Sequence, residues 1–186
     1  DVLTPSDDEA ELETGGDIPA PLAQFIGHDL NDISWQRVGF GTWQLRGKGC
    51  SSLVKQAIEA GYNHIDTAIM YENEEAVGEG IRASGKARDE LFVTTKVWPD
   101  LVSEGLFQGN VNASLKRLGL DHVDLVLIHW PPKGRTDVSE WMRLLNDVAE
   151  RGYTRHIGVS NFTTSMIEES VATSKRPLVC NQVENH

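Results

Sequence analysis

The sequence predicts an α/β protein, a parallel (β/α)8 TIM barrel of which about the first six β/α units are present. Three observations predict it. Short apolar runs and segments of helical period alternate strictly along the chain, which requires a parallel sheet with right-handed crossovers. Four polar residues, Asp66, Lys96, His129 and Asn161, stand at or just past the ends of apolar runs, separated by steps of 30, 33 and 32 residues. Each step is about one strand-plus-helix unit. Polar groups at the C-terminal ends of successive strands are also how a β/α barrel assembles a site.

Residues 38–43 read as the first strand, with Gly39 and Gly41 allowing close approach to its backbone. Residues 47–49 read as loop. Ser51 or Ser52 then caps a helix to Ala60, with Leu53, Val54, Ala57 and Ile58 on one face and Gly61 as its stop. The second strand is 64–68, and Asn73 is the N-cap of a helix over 74–84 closed by Gly85. The third strand is 91–95, followed by a helix that ends near Leu118 and Gly119. The fourth, 123–128, is the most apolar run and is expected to be covered on both faces. Asp137 caps the next helix, whose Trp141, Leu144, Leu145 and Val148 share a face and which Gly152 ends. The fifth strand is 155–159, Ser165 to Glu168 has capping-box spacing for a helix, and the sixth strand is 178–183.

The net charge of −11 is unevenly placed. Residues 1–32 hold nine Asp or Glu and no Lys or Arg, leaving nineteen acids against seventeen basic residues elsewhere. With Pro5, Pro19, Pro21, Gly15 and Gly16, residues 1–33 read as an acidic, disordered tail ahead of a barrel domain over 34–186. No basic patch points to nucleic acid. No run of 18 apolar residues points to a membrane span. Cys50 and Cys180 lack metal-ligand spacing, which favours a reduced, cytoplasmic chain.

Asp66, Tyr71, Lys96 and His129 are expected to converge at one barrel mouth as the catalytic set. A tyrosine is a poor acid at neutral pH, and a neighbouring ammonium favours its phenolate. A carboxylate beside the lysine keeps that charge in place, and a histidine can hold a substrate oxygen or pass a proton. The set suits protonation of a carbonyl oxygen as it becomes an alkoxide. That reaction needs a hydride donor, so a nicotinamide cofactor is implied. Ser160, Asn161 and Gln182 offer hydroxyl and amide groups for its carboxamide, and Gly41, Thr42 and Asp66 complete the expected cofactor contacts. Trp43, Trp98 and Trp130, each just past a strand end, would wall an apolar substrate pocket. Each residue alone has a plainer reading. Asp66 and Lys96 could be a structural ion pair, His129 a satisfied core histidine, the tryptophans ordinary core. His64, Asp66, His129 and His186 could suggest a metal, but zinc sites of the hydrolytic kind use further ligands that are not seen, so no metal is expected.

These motifs resemble the aldo-keto reductase family. Residues 61–68, followed by Tyr71 and by Glu74 to Gly78, are similar to its first signature, with Asn63 where an arginine is usual. Leu145 and residues 155–162 are similar to its second, and Lys96 and His129-Trp130-Pro131 fit its lysine and histidine. The resemblance runs from about Val38 to Glu184 and is strongest to the bacterial 2,5-diketo-D-gluconate and methylglyoxal reductase branch. It implies a monomeric, cytoplasmic, NADPH-dependent reductase of small-molecule carbonyls with Tyr71 as general acid. Asn185 and His186 depart from the expected pattern. The seventh and eighth strands, with the aromatic that stacks on the nicotinamide and the segment that grips the 2′-phosphate, are not seen. The chain is therefore expected to be the first three quarters of a barrel, inactive alone, and NADH stays open as a cofactor. The alternative is a non-catalytic, cofactor-binding accessory subunit, or an inactive piece of a reductase.

Overall fold

A computed structural model describes residues 38–134 and 137–184. The acidic tail expected over 1–33, and Asn185 and His186, lie outside the described residues.

Six strands form one parallel sheet in the order of the chain: β1 Phe40–Gly41, β2 His64–Asp66, β3 Phe92–Val97, β4 Val123–Ile128, β5 Thr154–Ser160 and β6 Leu178–Gln182. Five helices connect them: α1 Gly47–Glu59, α2 Glu74–Ser84, α3 Phe107–Leu118, α4 Val138–Glu150 and α5 Thr164–Thr173. β4 has the expected bounds and is buried along its whole length. Its side chains divide by the two-residue period of a strand. Val126 and Ile128 join the core that the helices cover, while the equally buried Leu125 and Leu127 fall outside it and face the other way.

The sheet curls. β2 and β6 are four strand spacings apart, about 19 Å in a flat sheet. Yet the Gln182 side-chain amide donates to Asp66 Oδ2 at 3.0 Å. The register is irregular between β5 and β6. Ile157 pairs with Leu178 but Val159 pairs with Asn181, so β6 carries one extra residue there. Gly158 permits it, since a Cβ at that position would lie 2.8 Å from Leu127 Cδ2 and 2.9 Å from the Cys180 carbonyl oxygen.

Several boundaries differ from the sequence expectation. β1 has two residues, not six, and β2 ends at Asp66. β3 runs on through Lys96 and Val97, because Lys96 is buried along its stem and its charge is paired. α1 begins at Gly47, so the expected loop is helical, neither Ser51 nor Ser52 caps it, and Leu53 is exposed while Cys50 takes the buried position. Thr163, not Ser165, caps α5 through Met166 N. Asn73 does hold the N-cap position of α2, but its side chain makes no cap bond. Asp137 caps α4 as expected, accepting from Glu140 N at 3.0 Å.

One buried ion pair fixes β3 beneath its helices. Glu74 accepts from Thr95 Oγ1 at 2.6 Å and from Arg117 Nη2 at 2.6 Å, tying α2, β3 and α3 together one residue before Lys96. A buried carboxylate is tolerable only with such partners.

Candidate active site

The C-terminal ends of the strands carry the polar residues that the sequence singled out. Asp66 ends β2, Lys96 lies near the end of β3, His129 follows β4 and Ser160 ends β5. Tyr71 reaches the same place from a 3-10 turn over Ile69–Tyr71. Lys96 is 1% exposed, so its ammonium must be satisfied by the protein. It is hydrogen-bonded to Asp66 Oδ1, donates to the Thr67 carbonyl at 3.1 Å and donates to the Tyr71 phenol oxygen at 3.2 Å. Its Nζ also stands 4.9 Å from the centre of the Tyr71 ring. The four expected catalytic residues are thus together.

His129 packs edge-on to Tyr71 at 5.7 Å and to Trp98 at 5.4 Å between ring centres. Burial, and after it the Lys96 charge, lower its pKa to about 4, against the weaker opposing pull of Asp66. The ring is therefore neutral near pH 7. Its Nδ1 is buried with no hydrogen-bond partner among the described residues. With Nδ1 enclosed, Nε2 is the ring nitrogen left to meet a ligand, and the tautomer with its proton on Nε2 lets the neutral ring donate.

A cavity of about 410 Å³ opens in front of these groups, lined by Tyr71 and His129, by Trp43, Trp98 and Trp130, and by Ser160, Asn161 and Gln182. Trp43 tilts against the Tyr71 ring at 4.9 Å. Met70 and Val183 also line it, and both are exposed. Neither was predicted. Met70 stands one residue before Tyr71 in the 3-10 turn, and that neighbourhood is the only signal the sequence offers for it. A second cavity of about 420 Å³ lies against Trp98 and Trp130, with Pro99, Asp100, Pro131 and Lys133.

Ser160 Oγ donates to the Gln182 carbonyl at 2.8 Å, and Asn161 Nδ2 donates to the His129 carbonyl at 3.1 Å. These bonds tie the ends of β4, β5 and β6. Asn161 and Gln182 each keep a side-chain carbonyl to which no described residue donates. Two expected cofactor contacts are placed differently. Thr42 is fully buried and its hydroxyl donates to the Asp66 carbonyl at 3.0 Å, so it braces Asp66 and reaches no open space. Gly41 is exposed but does not line the cavity.

The Aldo/keto reductase family profile matches residues 37–186. Methylglyoxal reductase DkgB of Salmonella typhi is 42% identical over 148 residues, covering 78% of this chain and 55% of that protein. A solved structure described as a candidate 2,5-diketo-D-gluconic acid reductase B superposes with a TM-score of 0.75 at 44% identity, covering 80% of this chain and 52% of that one. An aldo-keto reductase of Bombyx mori in complex with NADP superposes at 0.73 with 39% identity, covering 80% of this chain and 54% of that one. The chain thus spans about half the length of these relatives.

Proposed function

This chain belongs to the aldo/keto reductase family, and on that premise we propose that it carries the carbonyl-reducing site of an NADPH-dependent oxidoreductase. The observation that best supports this is the Lys96 ammonium, held by Asp66 and donating to the Tyr71 phenol oxygen at 3.2 Å. The residues also suit a nicotinamide. Its carboxamide NH2 needs acceptors, and the unclaimed carbonyls of Asn161 and Gln182 supply them beside the cavity. When bound, the cofactor would supply the hydride.

The chain's own groups then handle the proton and the charge. Neutral His129 directs its Nε2–H at the substrate carbonyl oxygen and orients it. Tyr71 gives its phenolic proton to that oxygen as negative charge develops. Lys96, kept charged and in position by Asp66, stabilises the phenolate left behind. The three tryptophans keep water from the reacting atoms and give the cavity an apolar wall. A cavity of about 410 Å³ suits small aldehydes or ketones of the methylglyoxal or diketo-sugar-acid type, the classes named for two relatives. NADPH is the donor this reading takes first, supported by a 39% identical solved relative in complex with NADP. The same reading makes the protein a cytoplasmic monomer. No helix among the described residues is long and apolar enough to cross a membrane.

The test is NADPH oxidation by the full gene product with methylglyoxal, with NADH as the second donor tried. Tyr71→Phe is expected to lower turnover about 10²–10⁴-fold while leaving NADPH binding nearly intact. Near-normal turnover by that variant removes the assignment of Tyr71. Cofactor binding without turnover by the unaltered protein favours the accessory-subunit reading. The 186-residue chain assayed alone is expected to turn over little, because β1 and β6 are both edges of the described sheet and leave the site open on that flank.

A further inference from the structure

The bonds made by Asn73 connect the substrate wall to the catalytic lysine. Asn73 is 3% exposed and stands two residues after Tyr71, at the start of α2. Such an asparagine ordinarily caps its own helix. Here Nδ2 instead donates to the Thr42 carbonyl at 2.8 Å and to the Leu45 carbonyl at 3.1 Å, the two residues flanking the Trp43-Gln44 pair. Its Oδ1 accepts from Thr67 Oγ1 at 2.8 Å. Thr67 in turn offers its backbone carbonyl to Lys96 Nζ. Every hydrogen-bonding atom of the Asn73 side-chain amide is thus engaged.

The backbone around these bonds is not relaxed. Gln44 has φ 67° and Glu72 has φ 53°, so a non-glycine residue in the left-handed region stands in each of the two loops that Asn73 joins. Such conformations persist where surrounding contacts over-determine them. What the clamp holds is functional in position: the Trp43 ring lies 4.9 Å from the Tyr71 ring, and both line the cavity. Trp43 is half exposed, so side-chain packing alone does not fix it.

We propose that Asn73, oriented by Thr67, is a positioning residue that clamps the loop carrying Trp43 to the loop carrying Tyr71, and so sets the wall of the substrate pocket against the proton donor. The kinetic part of this inference rests on the reductase reading above; the structural part does not. A clamp of this kind acts on the fit of bulky substrates more than on the proton transfer, because Lys96 donates directly to Tyr71 and is held by Asp66 as well as by the Thr67 carbonyl.

The test pairs kinetics with a probe independent of activity. The full gene product is labelled with 5-fluorotryptophan, and the Trp43 fluorine resonance is assigned as the one lost in Trp43→Phe. Asn73→Ala and the milder Thr67→Val, which removes only the hydroxyl that orients Asn73, are expected to shift or broaden that resonance and leave the others in place. In kinetics, Asn73→Ala should raise KM for a bulky aromatic aldehyde about tenfold and for methylglyoxal less than about twofold, since displaced contacts weaken chiefly the ligands that use them. Combined with Trp43→Ala, its effect should be far less than additive, as for residues acting through one another. An unmoved Trp43 resonance in the folded variants overturns the proposal, as do additive kinetic effects or equal losses on large and small substrates. If Asn73→Ala does not fold, Thr67→Val decides by the same resonance. If the unaltered protein proves inactive with every carbonyl, the reductase reading fails and the fluorine spectra alone decide this one.

Discussion

Gln182 and Asp66, 116 residues apart in the chain, are joined by a 3.0 Å hydrogen bond across the mouth of the sheet. The bond brings the end of β6 to the end of β2 and places the last strand's amide on the carboxylate that pairs with Lys96. It also gives Asp66 a second donor on the oxygen that Lys96 leaves free.

Gln182→Leu is therefore expected to weaken NADPH binding about tenfold, the loss of one hydrogen bond of roughly 1.4 kcal/mol. Titration of cofactor fluorescence checks it. An unchanged Kd together with a lower Tm would make Gln182 a closure of the sheet and nothing more.

Lys96→Met should abolish turnover and also destabilise the fold. Removing one partner of a buried pair leaves the other charge uncompensated, at a cost of about 3–5 kcal/mol. Adding Asp66→Asn to Lys96→Met should restore much of the lost stability and none of the activity. Thermal melts and NADPH oxidation on the three proteins check this. Activity in the double variant would mean that the pair is structural.

What was legible in the sequence follows from what is local. The fourth strand is readable to the residue because all six of its side chains are buried and five are apolar; the one interruption, Asp124, is paired with Arg88 and Arg155. The third was read two residues short because a lysine conventionally ends such a run. Only the long-range partners of Lys96 let the strand continue. Asp66, Lys96 and His129 follow from one rule, a polar group at each strand end, which topology enforces, whereas Tyr71 comes from the 3-10 turn past β2. The role of Asn73 was not legible. Its helix-capping reading was locally sound, but its partners Thr42 and Leu45 lie 31 and 28 residues away, a relation that no spacing encodes. Two glycines in residues 47–49 disfavour a helix locally, yet α1 includes them and buries Cys50 one residue later.

Trp98→Ala should raise KM for hydrophobic aldehydes roughly tenfold and for methylglyoxal far less, in keeping with the loss of one large apolar contact surface. Trp98 lines both cavities and stands edge-on to His129, so long substrates that reach the second cavity should suffer most. A series of aldehydes of increasing length measures this. Equal effects on the whole series would make Trp98 core packing.

The lowered pKa of His129 makes stability depend on pH, and the sign can be worked out. An unfolded histidine takes up a proton below its ordinary value of 6.5, whereas folded His129 does so only near 4. Between these values the unfolded chain binds more protons, so stability present above pH 6.5 is lost as pH falls toward 4. Between pH 7 and pH 5 this one residue should remove about 2 kcal/mol. His64 and His122, whose pKa values are also lowered chiefly by burial, act in the same direction and leave a residual slope. His129→Gln keeps a polar, uncharged side chain and should flatten the slope by about the same 2 kcal/mol. Urea unfolding of both proteins at pH 7, 6 and 5 measures the difference. Parallel curves would mean that His129 charges as readily in the folded site as in the unfolded chain.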